Sequence, residues 1–466
     1  MTGAAVGRTP ASPSQPLTER LLVPAIFLIY AVAVGNTTSG AIAQAAIADA
    51  FDAGAADVGA IVFGYSTTFA ITTALYGPLA RRFGLGRCLT FGVALVAIGA
   101  GLAVVAPDLR ILVAARVLQG LGAGAIPTLT MALIARRLTG PARARALGIN
   151  VAAVGMGFAG GPLVGGFLLE IFGWRGAMAL GLFVAPWVVI LPRLAGDAER
   201  EDVPLDLPGM ALLSLAVGCL VLVINRLPML GLGLPIGLLL GAGAAAGAWL
   251  VARSRGQPHA ALPLGILADP VLRRMMAFGF VGQAAFFGIL VLAPIVAARV
   301  HGVAGFWLGL VLVPMALVIA SVSPRNGRLQ ARIGRPATTA ISLVTIGISA
   351  SYLSAVGPAA PIPILELGLV AAGAGFGLLG APLATAVSER FADADRSVAL
   401  GMYNLAFFIG SASGAAIATG FVQAGLEAFP FAGRALPGAS TGLALLAVLP
   451  LATLIAHRMG RGGSRR

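Results

Sequence analysis

The chain has 466 residues, of which 58% are hydrophobic and only 10% charged. A soluble domain carries about 25% charged residues, so this composition excludes a soluble globular protein and defines a membrane protein. The formal net charge of +14 comes from arginine alone, because the chain has no lysine, so the placement of the arginines decides what that charge does.

The first 20 residues are polar and rich in Pro and Ser, with no small-residue cleavage site behind a short apolar core. They read as a cytoplasmic tail, not a signal peptide. Apolar runs of about 20 residues follow, each long enough to cross a bilayer. Their limits are 21–44, 57–79, 88–107, 110–135, 146–170, 175–192, 207–225, 231–252, 275–298, 304–324, 337–356, 362–388, 397–423 and 439–457. Sorted by the loops these fourteen runs create, 25 of the 31 arginines fall on one side. Arg110, Arg175, Arg226, Arg299 and Arg434 fall on the other, and Arg116 lies inside a run. The positive-inside rule places both termini in the cytoplasm, for a multi-pass protein of the plasma membrane. Deleting any one run would send every later arginine cluster to the wrong side, so the distribution also tests the list of runs.

The loop after the second run, GPLARRFGLGR, and the loop after the tenth, GRLQARIGR, both read G-x-L-x-x-R-x-G. Gly77, Arg81, Arg82, Gly84 and Arg87 belong to the first copy, and Gly327, Arg332, Gly334 and Arg335 to the second. A loop repeated about 250 residues apart implies duplicated halves with a solute site between them near mid-membrane. The expected division is a tail over 1–20, a six-helix half over 21–192, an acidic cytoplasmic linker over 193–206, an extra helix pair over 207–252, a second linker over 253–274, a six-helix half over 275–457 and a basic tail over 458–466.

Arg116 lies about six residues into its run, roughly 10 Å deep at about 1.5 Å per residue. A charge at that depth costs several kcal/mol and faces a cavity or a partner, unless it snorkels to the interface that Arg110 already serves. Within the fifth run, Gly148, Gly157, Gly161, Pro162, Gly165 and Gly166 fall in the pattern G-x8-G-x3-G-P-x2-G-G. Glycines four apart admit a neighbouring helix closely, and a proline inside a span leaves a bend.

Polar residues inside the runs are candidate cavity lining: Asn36, Thr38, Tyr65, Gln119, Asn150, Gln283 and Asn404, with Gln44, Thr68 and Tyr403 beside them. An amide in hydrocarbon demands partners, whereas most hydroxyls bond their own helix. Glu170 and Glu366 are the acids within or at the edge of runs and are the candidate proton carriers, although each taken singly reads first as an interface carboxylate with no transport role. Nothing supports catalysis. His259, His301 and His457 are widely spaced, no G-x-x-x-x-G-K-[ST] phosphate loop is present, and Cys88 and Cys219 sit in or beside apolar runs. No metal, cofactor or nucleic-acid partner is expected. The expected partners are a small-molecule substrate, protons and a bilayer with anionic lipid at its cytoplasmic face, and the chain is expected to act as a monomer.

The glycine pattern of Gly148 to Gly166 resembles the antiporter signature in helix 5 of major facilitator superfamily drug exporters. With fourteen runs and the repeated loop, the chain is similar to the 14-helix drug:proton antiporter branch of that superfamily, from about residue 20 to 457. RVLQGLGAG, carrying Arg116, Gln119, Gly120 and Gly122, resembles the family's helix 4 motif. Trp174 and Arg175, and LDLPGMALLSLA from Leu205, resemble further elements of the branch. The resemblance implies the all-α major facilitator fold, secondary active efflux of lipophilic drugs or antibiotics in exchange for protons, and a part for Arg116 in proton coupling. The alternative is transport of one anionic or zwitterionic metabolite, or of a product the cell itself makes.

Two departures stand against the resemblance. The branch's D-x-T in the first span is here Asn36, Thr37, Thr38, and an amide cannot carry a proton. The loop aspartate of the G-x-x-x-D-R pattern is Arg81, and Ala331 stands at the matching place of the second copy. Arg81 beside Arg82 then needs lipid phosphate, another loop's acid such as Glu389, or nothing at all.

Overall fold

The computed structural model describes residues 15–195, 204–230, 233–257, 260–303, 306–424 and 439–462. Most of the N-terminal tail, most of the acidic linker, His259 and Arg434 lie outside the described residues. The described chain is helical throughout, because an apolar backbone in lipid must satisfy its own hydrogen bonds. The principal helices of the first part are α1 (Gln15–Ile42), α2 (Ala55–Phe83), α3 (Leu85–Val104), α4 (Leu109–Arg137), α5 (Gly140–Ala179) and α6 (Ala185–Ala195). Then come α7 (Leu207–Leu230) and α8 (Leu234–Ser254). The last part holds α9 (Pro270–His301), α10 (Val313–Val322), α11 (Arg335–Val356), α12 (Ile362–Arg390), α13 (Asp393–Ala424) and α14 (Ala439–Gly462). Each of the fourteen apolar runs is thus occupied by helix.

Among the described residues, eleven helices are long and apolar enough to cross a membrane by themselves. One of those runs, Ala142–Ala195, has 54 residues and is too long for a single crossing. It turns at Gly173, whose φ of 65° breaks the helical backbone in the interior of α5. A Cβ there would meet nothing within 4 Å, so backbone conformation alone favours glycine. The dihedrals stay helical through Pro162, and the break in the helix falls at the glycine that separates the fifth run from the sixth.

The repeated loop is repeated in three dimensions. Gly84 and Gly334 hold matching positive φ values of 94° and 82°, and each N–H donates to the carbonyl four residues back. Each glycine ends one helix and starts the next within a single residue. The two most extensive helix pairings are also counterparts: α1 with α5, and α9 with α13.

The parts before and after the extra pair meet through α2 on α13, and through α5 on α10 and α12. The extra pair covers one of these junctions. Leu213, Val217 and Val221 of α7 pack with Ala70 and Ala74 of α2 and with Met402 and Leu405 of α13. The polar foot of the pair is stapled. Asp206 takes N–H donors from Gly209 and Ala261 and an ion pair from Arg253 at 3.0 Å. Burial raises the Asp206 carboxyl, but these donors outweigh it and hold the group below the usual carboxylate range.

Candidate substrate cavity

A cavity of about 270 Å³ lies between the two parts, near the middle of their helices. Its walls come from α1 (Tyr30, Thr37), α2 (Tyr65, Ser66, Phe69), α5 (Phe158), α9 (Phe287, Val291) and α13 (Phe408, Ser411), with Val221 of the extra pair at its edge. The rings order one another. Phe69 meets Phe408 edge to face at 4.5 Å, and Phe158 meets Phe287 at 4.7 Å. Apolar aromatics at mid-helix gave no separate signal in the sequence, because core and cavity rings read alike there.

Behind Tyr65 lies Arg116, fully buried at 0% exposure, which removes the snorkelling alternative. Its guanidinium carbon stands 4.6 Å from the Tyr65 ring centroid. One Nη donates to Gln119 Oε1 at 2.7 Å and to the Asn36 carbonyl at 3.3 Å. Asn36 Nδ2 donates to the same Gln119 oxygen at 3.0 Å, and the Tyr65 hydroxyl donates to the Ala33 carbonyl at 3.2 Å. Gly40 makes room: a Cβ there would stand 2.6 Å from the other Nη. Among the described residues Arg116 forms no ion pair, and its Nε and second Nη have no hydrogen-bond partner. Amide dipoles and a π face therefore stabilise this cation where a carboxylate is absent.

The other candidates disperse. Thr38 bonds the Gly35 carbonyl of its own helix and packs on Gly161, while its neighbour Thr37 lines the cavity. Gln283 donates to Ser411 at 3.2 Å and so reaches the cavity wall from behind. Asn404 approaches Met131 sulfur at 3.8 Å, and neither amide atom of the buried Asn150 has a partner. Glu170 is exposed near the end of the first part of α5. Glu366 is half-buried in a separate cavity of about 40 Å³ within the later part, beside His301, and its Oε2 has no partner.

The helix 5 glycines do two jobs. Gly157, Gly161 and Gly165 form one face against α1, where a Cβ would come within 2.6 Å of the Ala31 carbonyl at Gly157 and 2.5 Å of the Gly35 carbonyl at Gly161. Gly148 packs on the Ser323 backbone of the opposite part, and Gly166 has ordinary room. Gly155, outside the pattern, joins Gly148 by packing on Ile319.

The repeated loops touch the opposite part at the arginine-rich end of the molecule. A Cβ at Gly77 would stand 3.0 Å from the Ser397 carbonyl and the Val398 Cα, and one at Gly327 would stand 3.2 Å from Ala144. Each loop glycine thus packs across onto the first turns of a helix in the opposite part. Arg81 pairs with Asp395 at 3.6 Å, in the first turn of α13. Glu389 is taken by Arg335 of the second copy instead. Arg390 holds Asp269, the cap of α9, at 2.8 Å. Burial raises the Asp269 carboxyl, but its N–H donors and Arg390 win and hold it below the usual carboxylate range. Arg87 and Arg332 are exposed.

A multi-pass helical membrane protein with two facing parts and a cavity between them near the middle of their helices is the architecture of a solute transporter. The Major Facilitator Superfamily model matches residues 25–415, and the chain belongs to that family. It is 30% identical over 381 residues to the drug efflux pump JefA of Mycobacterium tuberculosis, covering 79% of this chain and 73% of that one. It is 24% identical to the methylenomycin A resistance protein of Streptomyces coelicolor, over 89% and 88% of the two chains. Among solved structures, the human organic anion transporter MFSD10 superposes with a TM-score of 0.68 at 17% identity, covering 95% of this chain and all of that one. The proton:xylose symporter XylE superposes with a TM-score of 0.66 at 15% identity, covering 94% and 95%. At such identities these two likenesses speak for the fold alone.

Proposed function

We propose that the protein is a secondary active efflux transporter that exports lipophilic drugs or antibiotics in exchange for protons, by alternating access. The aromatic cavity between the two parts carries this reading, and the likeness to a drug efflux pump and an antibiotic resistance protein supports it. In this reading the arginine-rich end faces the cytoplasm of the producing cell and both termini lie there, in the plasma membrane. Residues 21–192 and 275–457 act as rocking halves, 207–252 accompanies them, and the linkers 193–206 and 253–274 join them. The protein works as a monomer, with anionic lipid against its exposed arginines.

Gly77 and Gly327 act as contact points of the cytoplasmic gate, and Arg81 with Asp395 replaces the aspartate that the family places in the first loop. Arg116, held by Asn36 and Gln119, biases the equilibrium between states, and Glu366 and Glu170 are the acids available to carry protons. Gln283, Asn150 and Asn404 face the solute path when the gate opens.

The test is transport in proteoliposomes under an imposed pH gradient, with a panel of lipophilic solutes. Gradient-driven solute movement is expected. No movement of any solute overturns export, and movement indifferent to the gradient overturns proton exchange alone. Glu366→Gln is expected to flatten the pH profile of transport, and an unchanged profile in both Glu366→Gln and Glu170→Gln removes these acids from the mechanism.

A further inference from the structure

The cavity wall combines rings and hydroxyls without any Asp, Glu, Lys, Arg or His. A formal charge, Arg116, stands one ring away, 4.6 Å from the centroid of the wall residue Tyr65. That charge has no ion-pair partner among the described residues, so its field reaches the cavity uncompensated by a neighbouring carboxylate. A second guanidinium, Arg226 of α7, lies 4.7 Å from the Phe63 ring, in the helix that supplies Tyr65.

Aromatic walls attract cations when their faces are free. Here Tyr65 already gives one face to Arg116, which draws its π density away from the cavity. Phe69 with Phe408, and Phe158 with Phe287, spend faces and edges on each other. What remains for a solute is apolar area, a few hydroxyl groups and a positive background.

We propose that this cavity takes aromatic solutes that are neutral or carry one negative charge, and that it rejects permanently cationic ones. The proposal rests on the reading of the cavity as the solute site and adds the charge class of that solute. Tyr65 and Arg116 set the selection together: the ring supplies the wall and the guanidinium supplies the field. At the low effective dielectric of a membrane interior, one uncompensated charge a ring away discriminates on the order of tenfold or more between a cation and its neutral isostere.

The test is binding to the purified full chain in lipid nanodiscs, using three probes on one naphthyl ring: 1-naphthoate, 1-naphthyl-trimethylammonium and its neutral isostere 1-tert-butylnaphthalene. The neutral and anionic probes are expected to bind at least about tenfold more tightly than the cation. Equal or tighter binding of the cation overturns the proposal, as does failure of all three to bind. Ser66→Asp, which places a carboxylate in the wall, is expected to reverse the order, and an unchanged order counts against selection by charge. Arg116→Gln is expected to bring the ratio toward one. A ratio that persists in a folded Arg116→Gln chain removes Arg116 from the selection.

The same probes separate this inference from export itself. If the naphthoate binds but nothing moves in proteoliposomes, export fails and the charge class stands. If the naphthyl cation is bound and exported, the charge class fails and export stands.

Discussion

Helices α4 and α12 hold the fourth place in their respective parts, and each carries an ionisable residue within its span, yet they treat it in opposite ways. Arg116 is sealed among Gln119, Asn36 and Tyr65 with no exposure at all. Glu366 is half-buried beside His301, in a small apolar cavity, with one oxygen unpartnered. A delocalised guanidinium can be held by carbonyl dipoles and a ring face, and it keeps its charge through any physiological pH. The carboxyl of Glu366 keeps one oxygen without a donor. The matching helices of the two parts thus hold a sealed cation in one and a half-buried carboxyl in the other.

The largest expected effect that would break this comparison comes from Arg116→Met. Gradient-driven transport is expected to be lost, while thermal unfolding in detergent stays level or shifts upward by an equivalent of about 1–4 kcal/mol, because a buried cation is replaced by apolar volume. A folded Met variant with full transport would show that Arg116 is only a packing residue. Asn36→Asp sharpens the comparison from the other direction by giving the first part an acid of its own. Once the Gln119 amide turns to present its unpartnered Nε2 to the new carboxylate, charge-assisted bonding is expected to add about 2 kcal/mol of stability. A lower unfolding temperature would show that the cluster has no place for a carboxylate.

Asp206→Asn probes the helix pair that belongs to neither part. The loss is expected to be about 2 kcal/mol, from one charged acceptor serving three donors. Since the folded carboxyl titrates below its unfolded value, its contribution is fully present above the unfolded pKa of about 3.9. The gap between wild type and variant should therefore hold from about pH 8 to 5 and shrink only as pH falls below that value. A gap that shrinks near pH 7 would contradict the depressed carboxyl. The smallest effect belongs to the pair of Arg81 and Asp395. Arg81→Ala or Asp395→Ala should each cost at most about 1 kcal/mol, because the pair is partly solvated. The swap Arg81→Asp with Asp395→Arg should recover the loss in transport rate, and failure to recover it would mean the pair does not act as a unit.

Much of the fold was legible because membrane helices announce themselves by length and apolarity. All fourteen runs hold helix, and the repeated G-x-L-x-x-R-x-G loops hold matching positive-φ glycines. The glycine pattern of α5 was legible as close packing, and three of its members meet α1. The partner of Arg81 was not legible. Asp395 lies more than 300 residues away in sequence, next to Arg396, and only the meeting of α2 with α13 brings it near. Thr37 and Thr38 are adjacent and chemically identical, and only the rotation of α1 sends one to the cavity and the other to Gly161.

The amino-acid sequence by itself determined that this is a polytopic helical membrane protein of duplicated design with a buried arginine, because hydropathy, arginine placement and repeats are properties of the chain alone. Tertiary structure alone decided that the arginine meets no acid among the described residues and that the cavity is walled by rings. It also decided that the extra helix pair covers the junction of α2 and α13. Those are facts of helix rotation and of contact between residues far apart in the chain, and they depend on how two halves meet.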